Sequence, residues 1–121
     1  MNNPVVHFEI LGADGANLIE FYRGLFGWPI EDNSLPGWPH YGFLKADQGI
    51  GGAVGTADAE PGSAIVVYVE VDDPQVYLDR AVDAGATIAM PITTVPGAEV
   101  TVAWIRDPQG NLVGLVKADE H

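Results

Sequence analysis

Val5-Val6-His7-Phe8-Glu9-Ile10 returns in altered form as Val66-Val67-Tyr68-Val69-Glu70-Val71. Both stretches are short and rich in β-branched and aromatic residues, which marks them as strands. The segments after them are also alike. After the first come Gly12, Asp14 and Gly15, then Leu18, Phe21, Tyr22, Leu25 and Phe26 at helical spacing, with Asp14 placed to cap the helix. After the second, Asp72-Asp73-Pro74 supplies a cap and a proline at the first helical position. Leu78, Ala81 and Val82 form that helix's apolar stripe, and Gly85 can end it.

Each predicted helix leads into three candidate strands. They fall near 28–32, 40–45 and 50–55 in the first half, and near 87–93, 99–106 and 112–117 in the second. Ala46-Asp47-Gln48-Gly49 and Asp107-Pro108-Gln109-Gly110-Asn111 read as the turns before the last strands. Residues 56–63, with Pro61 and Gly62, read as the linker. The order is βαβββ twice, in repeats of about 5–56 and 65–118 within one domain, 1–121. One such unit cannot cover both faces of a curved sheet, so the two are expected to pack together.

Composition narrows the function. The chain has 121 residues, 47% of them hydrophobic, which suits one globular domain with its own core. It has no cysteine, so disulfides, thiolate metal sites and cysteine nucleophiles are excluded. The net charge is −12, and the cations are Arg23, Lys45, Arg80, Arg106 and Lys117. No basic footprint for nucleic acid exists, and an anionic membrane surface would repel the chain. No apolar run reaches membrane-spanning length and no signal peptide is visible, so a cytoplasmic protein is expected.

Strand alternation divides the residues between two faces. Val6, Phe8 and Ile10 share one apolar face, as do Val67, Val69 and Val71, and these should lie under the helices. The opposite faces carry Val5, His7 and Glu9, and Val66, Tyr68 and Glu70. If the sheet curls, His7, Glu9, Tyr68 and Glu70 become polar groups in a mainly apolar cup, as small-molecule sites require. Tyr41 and Phe43, Trp104, and upstream Trp38 and His40 are candidate walls. Imidazole exchanges protons near neutral pH, and a carboxylate on the same face can hold it or share its work. Ser34 and Ser63 have no histidine nearby in sequence, so a serine triad is not expected. Gly51-Gly52 precedes no helix and no basic residue; it is read as a place of close approach by backbone or ligand, not a phosphate loop.

The sequence resembles the vicinal oxygen chelate superfamily, which groups glyoxalases, bleomycin-resistance proteins and extradiol dioxygenases. The stretches that carry the likeness are Val-His-Phe-Glu-Ile at 6–10, Phe-Tyr-Arg-Gly-Leu-Phe-Gly-Trp at 21–28, Val-Glu-Val-Asp-Asp at 69–73, Ala-Gly-Ala at 84–86 and Asp-Pro-Gln-Gly-Asn-Leu at 107–112. The resemblance implies an α+β fold in which two βαβββ repeats form a curved mixed sheet around a cavity, with helices on the outer face. It also implies four metal-ligand positions. These fall on His7, on Gly51-Gly52-Ala53, on Tyr68 and on Gly114. Only His7 is an ordinary ligand, so no metal cofactor is expected. If one binds, His7, Glu9 and Glu70 would form a displaced site. The resemblance further implies a homodimer, which exposed strand edges would favour.

Three functions fit. One is a metal-independent isomerase, cyclase or lyase, with His7, Glu9 and Glu70 as catalytic groups and Tyr68, Trp38, His40, Tyr41, Phe43 and Trp104 lining the site. Another is a protein that sequesters a drug or metabolite, for which acidity and aromatic walls favour a flat cation. The last is a glyoxalase-type lyase with a displaced metal. In each case the partner is a small molecule.

Overall fold

The computed structural model describes residues 2–32, 40–57, 63–95 and 99–118. Its elements run β1 (Val5–Gly12), α1 (Gly15–Phe26), β2 (Glu31–Asp32), β3 (Tyr41–Leu44), β4 (Gly51–Thr56), β5 (Ala64–Val71), α2 (Pro74–Asp83), β6 (Thr87–Val95), β7 (Val100–Arg106) and β8 (Leu112–Lys117). This is βαβββ repeated, a mixed α+β fold. The chain forms two compact units, one of residues 7–65 and one of residues 1–6 with 66–121.

In the 7–65 unit the strands lie in the order β2-β3-β4-β1. β1 and β4 are parallel, and β3 is antiparallel to both β4 and β2. Asp14 caps α1 by accepting from the Asn17 backbone N–H at 3.0 Å. Gly27 ends it in the left-handed region, at φ 68°. Arg23 in the last turn donates to the Ile30 carbonyl through Nη2 at 2.6 Å and Nε at 3.1 Å, which ties the helix exit to the next segment. Ile19 packs on Ile30, Leu44 and Val54, with Phe8, Ile10, Leu18, Tyr22 and Trp28 around them. Phe8 and Ile10 therefore lie under the helix, as alternation predicts.

Two expectations change here. The strand expected at 28–32 shortens to Glu31–Asp32. The Ile30 N–H turns back to the Trp28 carbonyl at 2.9 Å, and the Trp28 ring stacks on Tyr22 at 5.5 Å instead of joining a ladder. The apolar stripe of α1 is also wider than the sheet contact. Leu18, Ile19 and Tyr22 reach the core, whereas Phe21, Leu25 and Phe26 stay exposed, with Phe26 stacked on Tyr22 at 6.0 Å.

The second unit repeats the plan in the order β6-β7-β8-β5. β5 and β8 are parallel, and β7 is antiparallel to β8 and to β6, whose register shifts twice between Ile88 and Thr93. Asp73 caps α2 through the Gln75 and Val76 N–H groups, with Pro74 in the first turn. Leu78 packs on Val71, Ala103 and Leu115, with Val69, Tyr77, Ile92 and Ile105 beside them. Val69 and Val71 thus lie under the helix, while Val67, expected with them, remains exposed. The Asp107–Asn111 turn is closed by the Asp107 carboxylate. It accepts from the Gln109 and Asn111 backbone N–H groups, each at 2.9 Å, and from the Asn111 side chain.

Candidate functional site

In the 7–65 unit, His7 and Glu9 project from the β1 face opposite Ile19. Register sets His7 beside Gly51 and Glu9 beside Ala53, and Ala53 beside Phe43. Tyr41, one strand further out, is aligned with Gly55. The row across β4 is thus Gly51, Ala53 and Gly55, three residues with little or no side chain. Tyr41 uses that low ground. Its hydroxyl reaches over β4 and donates to the Glu9 carboxylate. Glu9 is 3% exposed, a carboxyl group taken almost wholly from water. Such a group needs a partner, because an unpaired buried carboxylate costs several kcal/mol. Phe43 meets Tyr41 edge to face at 5.1 Å and completes the wall.

Gly52 serves the other face. A Cβ there would collide with the Phe8 ring. Of the glycine pair read as a place of close approach, Gly52 makes room for one of the protein's own rings, on the helix side.

His40 stands apart. It precedes β3 in a turn, at φ 50°, and is exposed. Its Nδ1 lies 3.1 Å from the Asp32 carboxylate. Trp38 lies outside the described residues.

The second unit has the corresponding face. Tyr68, Gly114 and Trp104 align in one row across β5, β8 and β7. Tyr68 is 4% exposed. A Cβ on Gly114 would come within 2.5 Å of the Tyr68 ring, so the ring fills the space that glycine leaves. The Trp104 indole N–H donates to the Tyr68 hydroxyl at 2.6 Å. Glu70, half-buried, lies two residues on, beside Val116. Alternation alone makes Tyr41 and Trp104 walls and does not reveal that each donates a hydrogen bond to a polar residue two strands away. The local signal is the small residues on the strand that is crossed, Gly51, Ala53 and Gly55 in one unit and Gly114 in the other.

Comparison with known proteins places this fold. The family described as Glyoxalase/Bleomycin resistance protein/Dioxygenase superfamily matches residues 5–115. The chain belongs to that superfamily. Among named relatives, a candidate glyoxylase, CFP32, of Mycobacterium bovis and of Mycobacterium tuberculosis is 33% identical over 119 residues, covering 93% of this chain. The chain spans 45% of the length of these relatives. Solved structures of the same fold include methylmalonyl-CoA epimerase from Mycobacterium tuberculosis, with TM-score 0.67, 18% identity and coverage of 93% and 86% of the two chains. A hypothetical protein from Bacillus halodurans aligns with TM-score 0.70 at 15% identity, over 100% of this chain and 98% of that one. The Streptomyces coelicolor epimerase in complex with 2-nitronate-propionyl-CoA aligns with TM-score 0.65 at 15% identity, over 95% and 96%. At these identities the likeness is one of fold.

The superfamily resemblance implies a divalent metal, and the residues present do not fit one. His7 is paired in register with Gly51, which has no donor. Tyr68 is paired with Gly114, and its ring occupies the space a ligand side chain there would need. A catalytic site wants about three protein ligands, and of these four positions one carries an ordinary ligand. Among the described residues no group of three or more His, Asp or Glu is arranged to hold a metal ion. Also among them, no helix is long and apolar enough to cross a membrane.

Proposed function

We propose that this superfamily member binds a small organic molecule on the strand face of its 7–65 unit that is turned away from α1. There it moves a proton with its own side chains, in an isomerase-, cyclase- or lyase-like reaction that needs no divalent metal. The observation that carries this reading is Glu9: a carboxylate 3% exposed, held by the Tyr41 hydroxyl, on the same strand face as His7. A desolvated carboxylate with a fixed orientation is well suited to take up and return a proton. The glycine and alanine row beside it gives the Tyr41 side chain room to cross β4 and hold the carboxylate. Within the 7–65 unit His7 is the further acid–base candidate and Phe43 the flat surface, and the face of the other unit, taken by itself, offers Glu70 and Trp104. The name of the mycobacterial relatives suits lyase or isomerase chemistry. Assembly as a homodimer is part of the proposal, and light scattering at micromolar concentration checks it.

The test is solvent-deuterium exchange into bound carbonyl compounds, monitored by NMR, with wild type, His7→Ala and Glu9→Gln. Exchange in wild type that Glu9→Gln abolishes, with binding kept, is the expected result. Equal exchange in Glu9→Gln would remove Glu9 from the chemistry. A second reading, sequestration of a flat cationic compound, draws on the net charge of −12 and the paired rings of Tyr41 and Phe43. It predicts tight binding of such compounds with no exchange in any variant.

A further inference from the structure

The stretch at 21–28 is only partly spent on the core of the 7–65 unit. Tyr22 and Trp28 are half-buried and stack at 5.5 Å against the Ile19 cluster. Phe21, Leu25 and Phe26 are 55%, 59% and 57% exposed. Phe21 meets Tyr22 edge to face at 5.0 Å, and Phe26 lies 5.1 Å from Trp28, so the bare rings form one continuous aromatic surface. With the bared edges of Tyr22 and Trp28, it offers on the order of 400 Å² of apolar surface, the size of patch that serves a function on other proteins. Two further observations bear on what covers it. Between Gly15 and Ile30 the charged residues are Glu20 and Arg23 alone, and they pair at 2.8 Å. In a chain of net charge −12, this helix carries no net charge. Gly24 sits three residues after Phe21 and next to Leu25, and among the described residues nothing comes within 4 Å of where its Cβ would stand. Glycine weakens a helix relative to alanine, and none of the described residues requires it here. It leaves bare backbone that a second helix can approach closely.

We infer that this exposed face of α1, built on Phe21, Gly24, Leu25 and Phe26, is the surface on which two copies of the chain pair. The inference rests on the homodimer of the proposed function and adds where its interface lies, on a helix face and not on strand edges. A basic partner would be drawn to acidic surface, and the one acid here is already paired with Arg23. An anionic membrane would repel the chain. A twofold contact sets one patch against its own copy. Two chains of net charge −12 repel each other least where their uncharged faces meet. Area agrees with a pair. Two such patches, at the apolar share of roughly 65% found in homodimer interfaces, correspond to about 1,200 Å² buried in all, the lower bound for a specific stable interface. The dimer is therefore reversible, with Phe21 and Phe26 as its anchors.

The experiment follows the full chain by sedimentation velocity across a dilution series from about 200 µM to about 1 µM. Wild type should pass from dimer to monomer within it. Phe21→Glu and Leu25→Glu should each weaken pairing at least about tenfold, with helix content and urea midpoint unchanged, because both side chains are exposed. Gly24→Gln covers the bare backbone with a good helix former; it should weaken pairing while holding or raising the urea midpoint, which separates loss of the interface from loss of the fold. Val82→Glu, the same added charge at an exposed position of α2, should pair as wild type does. Pairing unaltered in all three α1 variants, or weakened equally by Val82→Glu, would overturn the inference and leave a homodimer that uses another surface. Wild type that stays monomeric throughout would overturn the inference and the proposed homodimer together, with the ligand-binding reading untouched. Flotation of wild type with phosphatidylcholine vesicles, lost in Phe21→Glu, would give the face to lipid and overturn pairing there.

Discussion

In the 7–65 unit an aromatic side chain on β3, Tyr41, reaches across β4 to Glu9 on β1. In the other unit Trp104, on β7, reaches across β8 to Tyr68 on β5. These strands correspond one to one in the repeat, and each crossing passes over small residues, Ala53 and Gly55 in one and Gly114 in the other. The repeat therefore keeps the strands that are bridged but shifts the positions: Trp104 reaches Tyr68 straight across Gly114, whereas Tyr41 reaches diagonally to Glu9, whose counterpart in the repeat is Glu70. One unit presents a carboxylate held by a phenol, the other a phenol held by an indole.

The comparison can be broken first at the two cores. Ile19 and Leu78 are the corresponding helix residues in their clusters. Ile19→Ala and Leu78→Ala should each cost about 2–5 kcal/mol in urea unfolding, as buried large-to-small changes do. A loss in one unit several times that in the other would mean the repeats do not share equivalent cores. Next come the two tyrosines. Tyr41→Phe strips a buried carboxylate of a donor and should cost about 1.5–3 kcal/mol, whereas Tyr68→Phe removes a neutral acceptor and should cost about 0.5–1.5 kcal/mol. A reversed order would contradict the reading that the buried Glu9 carboxyl depends more on its donor than Trp104 does on its acceptor. Glycines sharpen the point further. Gly114→Ala should destabilise by about 1–3 kcal/mol because the Tyr68 ring must move. Gly24→Ala, in α1 with open space around its Cβ, should stabilise by about 0.4–1 kcal/mol.

The smallest expected effect is a pH dependence of the second unit. The Asn111 side-chain hydrogen bond, together with the backbone bonds of the turn, holds the Asp107 carboxyl below its ordinary value of 3.8. A depressed folded-state value means the contribution is complete above 3.8 and fades as pH falls through the lower folded value. Asp107 is only partly covered from solvent, so the effect should be modest and weakened by salt. Asp107→Asn should flatten the acid limb of a melting-temperature profile, and an unchanged limb would mean that the turn has no part in it.

Much of the fold is legible locally. Asp14 and Asp73 announce their helices because a short acceptor before an apolar run meets free N–H groups. β8 at Leu112–Lys117 is the strand expected directly after the Asp107–Asn111 turn. Two-residue periodicity also sorts Phe8 and Ile10 from His7 and Glu9 correctly. The features that escape a local reading depend on register and packing, which are non-local. Nothing near Tyr41 in sequence says that Glu9, 32 positions away, lies within reach. The same holds for Trp104 and Tyr68, 36 apart. The exposure of Phe21, Leu25 and Phe26 is not readable from the width of an apolar stripe, because one sheet contact covers only part of that width.

If the side chains act without a divalent metal, the protein should show no affinity for one, and metal binding tests this most directly. Tag-free protein would be assayed for metal content, then melted with and without added zinc, nickel, manganese and iron. The expected result is no stoichiometric metal and no shift with any of the four. One ion bound per chain that raises the melting temperature in wild type, and loses that effect in His7→Ala, would contradict a metal-independent site.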